Sequence, residues 1–264
     1  MSNTVLADTV LDFFDSGVGP LVGPYGGTEF PANFPVPVSL DYAIDGDSNT
    51  SVSLPTGSYI TVAFSNGGIV NGPGNDLFIS EPGSGLEVAD IYVSSDSGLT
   101  FTYLGEAYGD QLTELDLEDI GYFGLVNAVR VVGLDNGGGS PGFDIAFVTA
   151  TENSSISKDV PGSEDNDEIT GSDDNEYFDL GSGDDFLSAG DGNDYIFAGN
   201  GNDAVWAGAG DTGNDTAFGG AGDDTIGGGA GADSLSGEED DDLLFGGSEG
   251  DVLLCGEGDD IDRC

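Results

Sequence analysis

Eleven acidic residues recur at a spacing of nine in the last 103 residues of this 264-residue chain. They are Asp167, Glu176, Asp185, Asp194, Asp203, Asp215, Asp224, Asp233, Asp242, Asp251 and Asp260, and the register is interrupted once, by Asp211–Gly213. Each acid is the sixth residue of a nine-residue unit. Ala189 to Phe197 reads AGDGNDYIF, and Gly219 to Gly227 reads GGAGDDTIG. The units begin at Gly162, Gly171, Leu180, Ala189, Ala198, Ala207, Gly219, Gly228, Gly237, Gly246 and Cys255. Glycine at positions one, two and four permits positive φ and close backbone approach. The first six residues of a unit are therefore expected to turn, exposing main-chain carbonyls beside one carboxylate. Carbonyls with a few carboxylates are the ligand set of a hard cation in flexible geometry, Ca2+ ahead of Mg2+. The chain has no His, and its two thiols stand at the extreme C-terminus, so zinc and copper are poorly served.

Such carboxylates need a scaffold that stacks them. The last three residues of each unit suit a strand, and position eight is apolar in all but the last. With two units per coil turn, acids 18 residues apart lie above one another. One edge then carries Asp167, Asp185, Asp203, Asp224, Asp242 and Asp260; the other carries Glu176, Asp194, Asp215, Asp233 and Asp251. Position eight points inward, supplying Ile169, Leu187, Val205, Ile226 and Leu244 to one wall and Phe178, Ile196, Ala217, Leu235 and Leu253 to the other. One apolar side chain per unit does not offset a backbone ordering cost of roughly 1–2 kcal/mol per residue. Stacked carboxylates also repel, so metal binding and folding are expected to be one event. A site shared between a unit and the next but one allows about nine ions. Nine Ca2+ would change the charge of residues 151–264 from −29 to roughly −11.

This segment, about 40% of the chain, resembles the RTX (repeats-in-toxin) calcium-binding family and its parallel β-roll. The resemblance implies that one half-site gives the carbonyls of positions two and four and the position-six acid. The stacked half-site gives the carbonyls of positions one and three and its own acid. On this chain one ion would sit among Gly181, Gly183, Asp185, Ala198, Asn200 and Asp203, and a second among Gly199, Gly201, Asp203, Gly219, Ala221 and Asp224. A third would use Gly220, Gly222, Asp224, Gly237, Glu239 and Asp242, and a fourth Gly229, Gly231, Asp233, Gly246, Ser248 and Asp251. Gly190, Gly192, Asp194 and Asp215 complete the implied metal ligands. The chain departs from the pattern at Asp165 and Asp174, where Gly is expected, at Glu176 for Asp, and at Asp240 and Glu249 in position four. Asp262 stands at the inward position of the last unit, as a polar cap should.

Fifty-one acids against three basic residues give a net charge of −48. Nucleic acid is excluded, since binding it requires Lys and Arg on phosphates, and so are anionic membrane surfaces. No stretch approaches the ~18 apolar residues of a membrane span, and MSNTVLADTVLDFF has no basic n-region. Cys255 and Cys264 fit no zinc spacing and leave both a terminal staple and two thiols open.

Residues 1–150 read as a β-sandwich or jelly roll, making the whole chain all-β. Short β-rich runs (Tyr59–Phe64, Leu77–Ser80, Ile91–Ser94, Thr100–Leu104, Val129–Leu134 and Ile145–Val148) are separated by Gly- and Pro-rich turns, with one weak helical stripe around Leu115–Leu125. AIDGDSNTSVSL before YITVAF resembles the turn and strand of discoidin or galactose-binding-like jelly rolls. That resemblance implies sugar binding or packing alone. Asp45, Asp47 and Asp144 are candidates for a structural Ca2+, with turn capping as the simpler role. Arg130 suits pairing with a buried acid, and Tyr42, Tyr103 and Tyr108 are candidates for sugar stacking. Residues 151–161, polar and ending in Pro, read as a linker, and residues 162–264 as the β-roll.

Without His, and with Lys158 placed in a linker, the common nucleophile and base constellations are missing, so no enzyme is expected. The expectation is a secreted, non-catalytic bacterial surface or matrix protein that folds on extracellular calcium, with type I export implied by the RTX resemblance. Self-assembly into a layer or filament is expected, with the Val5–Phe14 strand available to a neighbour. The alternative is a polysaccharide-binding adhesion module with the roll as spacer.

Overall fold

The computed structural model describes residues 6–16, 25–26, 36–37, 43–44, 51–65, 67–72, 74–81, 87–109, 112–122, 124–134, 142–151, 154–156, 158–208 and 212–263. The chain forms two compact units, Met1–Ser155 and Ile156–Cys264.

The first unit is a β-sandwich. Five antiparallel strands form one layer in the order Thr9–Phe14, Tyr59–Ala63, Ala128–Gly133, Val88–Ser94, Thr102–Tyr108. Shorter sheets oppose it: Leu112–Leu115, Leu77–Ser80 and Phe147–Ala150 in one, and Phe143–Ile145, Val52–Leu54, Tyr25–Gly26 and Val36–Pro37 in another. Period-two alternation sends Ala89, Ile91 and Val93 inward from Val88–Ser94. They meet Ile60, Val62, Val131, Leu77, Ile79, Phe143 and Val148 in one buried cluster. Each large apolar side chain so buried is worth about 1.5–3 kcal/mol.

Several expectations change here. The run Ile145–Val148 is two strands in different sheets, broken at Ala146, whose N–H donates to Ser80 O. The stripe at Leu115–Leu125 is not an α-helix; it holds one 3-10 turn, Glu118–Ile120, closed by Gly121 at φ 61°. The strand expected at Thr100–Leu104 runs instead over Thr102–Tyr108. Thr9–Phe14 pairs with Tyr59–Ala63 of its own chain across a bulge, so one of its two edges is already used. Asp45, Asp47 and Tyr42 lie outside the described residues.

The second unit is a coil of two six-stranded parallel sheets. One runs Lys158–Ser163, Glu176–Gly181, Tyr195–Asn200, Thr216–Ala221, Ser234–Glu239, Val252–Glu257. The other runs Glu168–Thr170, Phe186–Gly190, Ala204–Gly208, Thr225–Ala230, Leu243–Ser248, Ile261–Arg263. Part of the segment read as a linker is therefore strand: Ser155–Ile156 pairs with Gly68–Ile69, and Lys158–Ser163 is the first parallel strand of the roll. Its composition is polar because a roll strand needs few inward residues. Val160, level with Phe178, packs against the core, and Pro161 is tolerated on an edge strand.

Most roll strands span six residues, positions seven to nine and then one to three of the next unit, rather than three. Pleating therefore turns position one inward as well as position eight. Leu180, Ala189, Ala198 and Ala207 are fully buried beside Phe178, Leu187, Ile196, Val205, Ile226, Leu235 and Leu244. The core is thicker than one apolar side chain per unit. Ile169 and Leu253, at the ends, are only partly buried. On the outward positions, Tyr177 stacks on Tyr195 (6.1 Å) and Phe197 on Phe218 (4.9 Å), stiffening one wall.

Candidate metal centre

The turns between strands place the position-six acids in two columns. In the first, the N–H of Asp167 donates to Asp185 Oδ1 (2.8 Å), Asp185 to Asp203 (2.7 Å), Asp203 to Asp224 (2.8 Å), Asp224 to Asp242 (2.9 Å) and Asp242 to Asp260 (3.0 Å). In the second, Glu176 donates to Asp194 (2.9 Å), Asp194 to Asp215 (2.9 Å), Asp215 to Asp233 (2.9 Å) and Asp233 to Asp251 (3.1 Å). Main-chain bonds such as Ala204 N–H to Asp185 O lock the same residues from the other side. The structure thus brings together Asp185 with Asp203, Asp203 with Asp224, Asp224 with Asp242, Asp194 with Asp215, and Asp233 with Asp251. Across the longer unit the bonds from Asp194 to Asp215 and from Asp203 to Asp224 span 21 residues, and both columns continue.

Each ladder bond occupies one carboxylate oxygen. The other oxygen of Asp185, Asp203, Asp224 and Asp242 is buried and has no hydrogen-bond partner. These residues are 2–3% exposed. Burial pushes the Asp185, Asp203 and Asp242 carboxyls above their usual range and Asp224 up to about 7. Repulsion from the stacked acids adds to this, against the stabilising ladder N–H. A buried carboxylate oxygen left alone is costly, so the columns require protons or cations.

The glycines complete the fit. Gly199 and Gly201 take φ of 106° and 139°, and a Cβ on them would lie 2.1 Å from Gly181 O and 1.8 Å from Gly183 O. The same positive φ holds at Gly181, Gly183, Gly190, Gly192, Gly220, Gly222, Gly229 and Gly231. Position-one glycines do not need it; they serve close approach. A Cβ on Gly219 would sit 2.4 Å from Asp224 Oδ2 and 2.7 Å from Gly237 O, and one on Gly228 2.3 Å from Asp233 Oδ2 and 2.8 Å from Gly246 O. Carboxylate and carbonyl oxygens converge there where a methyl would intrude. The position-three carbonyls of Asn200, Ala221 and Ser248 accept the N–H of Gly183, Gly201 and Gly231. Each keeps a second lone pair. Ala198 is in the core through its side chain, and Glu239 lies at an exposed strand end. Hard oxygen donors in this array fit Ca2+.

Position five was overlooked in the sequence. The N–H of Asp184 donates to Asn166 Oδ1, Asn202 to Asp184, Asp223 to Asn202, Asp241 to Asp223 and Asp259 to Asp241. On the second edge Asn193 donates to Asn175, Asn214 to Asn193 and Ala232 to Asn214. These outer ladders run opposite to the inner ones. Their signal was the Asn or Asp that precedes nine of the eleven position-six acids.

In the sandwich, Asp144 lies with Glu81 and Glu87, three buried carboxylates whose oxygens are within 4.8 Å of one another. Ser53 Oγ donates to Asp144 Oδ1. Nothing in the spacing of Glu81 and Glu87 marked them. Arg130 pairs with Asp12 (3.6 Å), a half-exposed rather than a buried acid. It donates from Nε to Thr61 Oγ1 (2.8 Å) and lies between the Tyr59 and Phe101 rings. Tyr103 and Tyr108 are 46% and 45% exposed. Cys255 packs at the margin of the roll core, and Cys264 is outside the described residues.

A family model for the RTX calcium-binding nonapeptide repeat (4 copies) matches residues 162–187, 179–212, 210–235 and 227–261. The C-terminal region is thus made of RTX nonapeptide repeats wound as a parallel β-roll. No curated protein matches the chain. Among solved structures it is similar to the C-terminal domain of a chitobiase from Bacteroides fragilis (13% identity, 59% of this chain, 98% of that one, TM-score 0.38). It is also similar to a CBM32 of AlyQ in complex with 4,5-unsaturated mannuronic acid (17% identity, 53% and 97%, TM-score 0.34). A third is truncated AlyQ with CBM32 and alginate lyase domains (15% identity, 59% and 34%, TM-score 0.38).

Proposed function

We propose that this protein is a non-catalytic, calcium-ordered module of the bacterial cell surface or extracellular matrix, whose roll folds when Ca2+ enters its two acid columns. The observation that carries this reading is the file of buried, unpartnered oxygens on Asp185, Asp203, Asp224 and Asp242. The ligands are those named from the repeat: the position-six acids with carbonyls of the stacked turns. Low cytosolic Ca2+ would leave the roll open for export, and millimolar Ca2+ outside would set it. The net charge of −48 suits that compartment, and among the described residues no helix is long and apolar enough to cross a membrane. Circular dichroism with calorimetry during a calcium titration tests this. Order should rise with several bound ions and fall on chelation. Identical spectra and melting in calcium and in chelator would remove the reading.

Assembly into a layer or filament belongs to the same proposal. It is supported by exposed Leu11 and Phe14 on the edge strand Thr9–Phe14 and by exposed Val252, Leu254 and Ile261 on the last roll strands. Negative-stain images showing monomers alone in calcium would argue against it.

A second reading, a polysaccharide-binding module with the roll as spacer, is favoured by exposed Tyr103 and Tyr108, which present flat faces for sugar stacking. A glycan array probed with the full chain in calcium decides it. Silence across acidic and neutral glycans removes it.

A further inference from the structure

We propose that Asn200 is a modification site controlled by calcium: the wound roll shields it, and in an unwound roll attack by Gly201 N converts it to an aspartyl or isoaspartyl residue. This rests on the calcium reading above, under which the roll unwinds without the ion. Four asparagines of the chain precede glycine: Asn66, Asn71, Asn136 and Asn200. Only Asn200 lies in the roll, where Asn166, Asn175, Asn193, Asn202 and Asn214 each precede Asp or Glu. Glycine lacks the Cβ that would crowd its own nitrogen, and its backbone turns freely. In the reaction Gly201 N gives up its proton and bonds to Asn200 Cγ. The Cγ–Nδ2 bond breaks, and Nδ2 takes up that proton and leaves as ammonia. Water then opens the cyclic imide at either carbonyl. The sum is amide plus water to acid plus ammonia, with no change of oxidation state.

In the wound roll the two reacting groups are held toward opposite neighbours. The N–H of Gly201 donates to Ala221 O (2.8 Å), on the following rung. The side chain of Asn200 donates from Nδ2 to Ser182 Oγ (3.3 Å), on the preceding rung. Asn200 O accepts the N–H of Gly183 (2.8 Å), so both ends of the Asn200–Gly201 peptide are tied to rungs. Gly201 has no slack, since a Cβ on it would lie 1.8 Å from Gly183 O. Asn200 is exposed, so water reaches it in the wound roll too. Closing a ring between Gly201 N and Asn200 Cγ requires rungs to part, and only opened chains react. An isoaspartyl link routes the main chain through Cβ and Cγ. It adds a methylene before position four and moves the position-three carbonyl out of the chain. The bond from Gly183 and the ligand expected at Asn200 are lost together. A chain kept long without calcium then loses its ability to rewind at this turn.

Peptide mapping by mass spectrometry tests this on the full chain, aged at neutral pH in calcium and in chelator, with circular dichroism recorded in both. Conversion at Asn200 should be at least about tenfold faster in chelator, because the rate follows the open fraction of chains. Asn71 is the internal control. It also precedes glycine, but Gly72 N–H is held by Asp76 Oδ1 (2.8 Å) in the sandwich, so it should convert slowly in both buffers. Returned to calcium, the chelator-aged chain should bind fewer ions by native mass spectrometry than before ageing. Asn200→Ala, compared with its own count before ageing, should lose none. Equal rates at Asn200 in the two buffers overturn the proposal alone where dichroism shows that chelator unwinds the roll. Equal rates with identical dichroism in both overturn the calcium reading beneath it. A loss of ions on ageing as large in Asn200→Ala as in the unaltered chain overturns the assignment of the damage to Asn200. The mapping uses the unaltered chain, so the test stands even where Asn200→Ala fails to fold.

Discussion

Asp203 donates its backbone N–H to Asp224 Oδ1 at 2.8 Å, leaving Asp224 Oδ2 buried with no hydrogen-bond partner. One side chain therefore does two jobs. One oxygen joins successive rungs, and on the calcium reading proposed above the other would face the ion. Asp224→Asn separates them, because the amide oxygen still accepts the ladder bond while an NH2 replaces the metal-facing oxygen. Calcium affinity at the adjoining sites should fall by at least the roughly 10–100-fold that loss of a supporting partner costs. Calorimetric titration reads the change; unaltered affinity would show that Asp224 is not a ligand.

The same burial predicts an unusual pH dependence without metal. Asp224 is raised to about 7, so its folded pKa lies above its unfolded one. Below the unfolded value, about 4, both states are protonated and burial carries no charge penalty. As pH rises through about 7 the folded state must ionise a buried group, and stability is lost. In metal-depleted buffer the roll should therefore melt at a higher temperature near pH 4 than near pH 8. Calcium affinity should run the other way, rising with pH as the proton is displaced. Melting curves across that range check both; a metal-free roll more stable at pH 8 would contradict the account.

Glu238, Asp240 and Glu249 occupy positive φ of 83°, 73° and 92° at positions where earlier units place Gly. Left-handed backbone costs a side chain roughly 1–2 kcal/mol. Asp240→Gly and Glu249→Gly should each stabilise the calcium-loaded roll by up to about 1 kcal/mol after the added chain entropy of Gly. The reverse change, Gly201→Ala, puts a methyl 1.8 Å from Gly183 O. It should cost more than the roughly 1–3 kcal/mol of backbone strain alone. Calorimetry on the three variants gives the signs.

Each unit has its own core, so core truncations should act separately. Ile196→Ala removes a fully buried roll side chain and Ile91→Ala a fully buried sandwich side chain, each at roughly 2–5 kcal/mol. Chelator should abolish the transition that Ile196→Ala shifts and leave the one that Ile91→Ala shifts. A single transition moved equally by both would mean that the units melt together.

Much of this was readable from residue order. The position-six acids, the inward file from Ile169 to Leu253 and the two-units-per-turn stacking follow from a nine-residue beat, because a repeat forces each local conformation to recur. The same beat pointed to calcium, since carbonyl-rich turns with one acid each leave few other ligands. Composition likewise separated a β-sandwich from the roll, and alternation located Tyr59–Ala63 and Leu77–Ser80 closely.

Folding decided what depends on residues 18 apart or on opposite layers. Position one turned out to be a second inward site because the strands run on into the next unit, and no single unit contains that information. The opposed ladders at positions five and six arise from which lone pair faces which N–H across a rung. Lys158, polar and three residues before a proline, gave no sign of a strand until its alignment with Glu176 was known. Glu81, Glu87 and Asp144 meet only because strands distant in sequence close one sandwich. A short period records local geometry faithfully, whereas burial and charge compensation are set between segments and exist only once those segments pack.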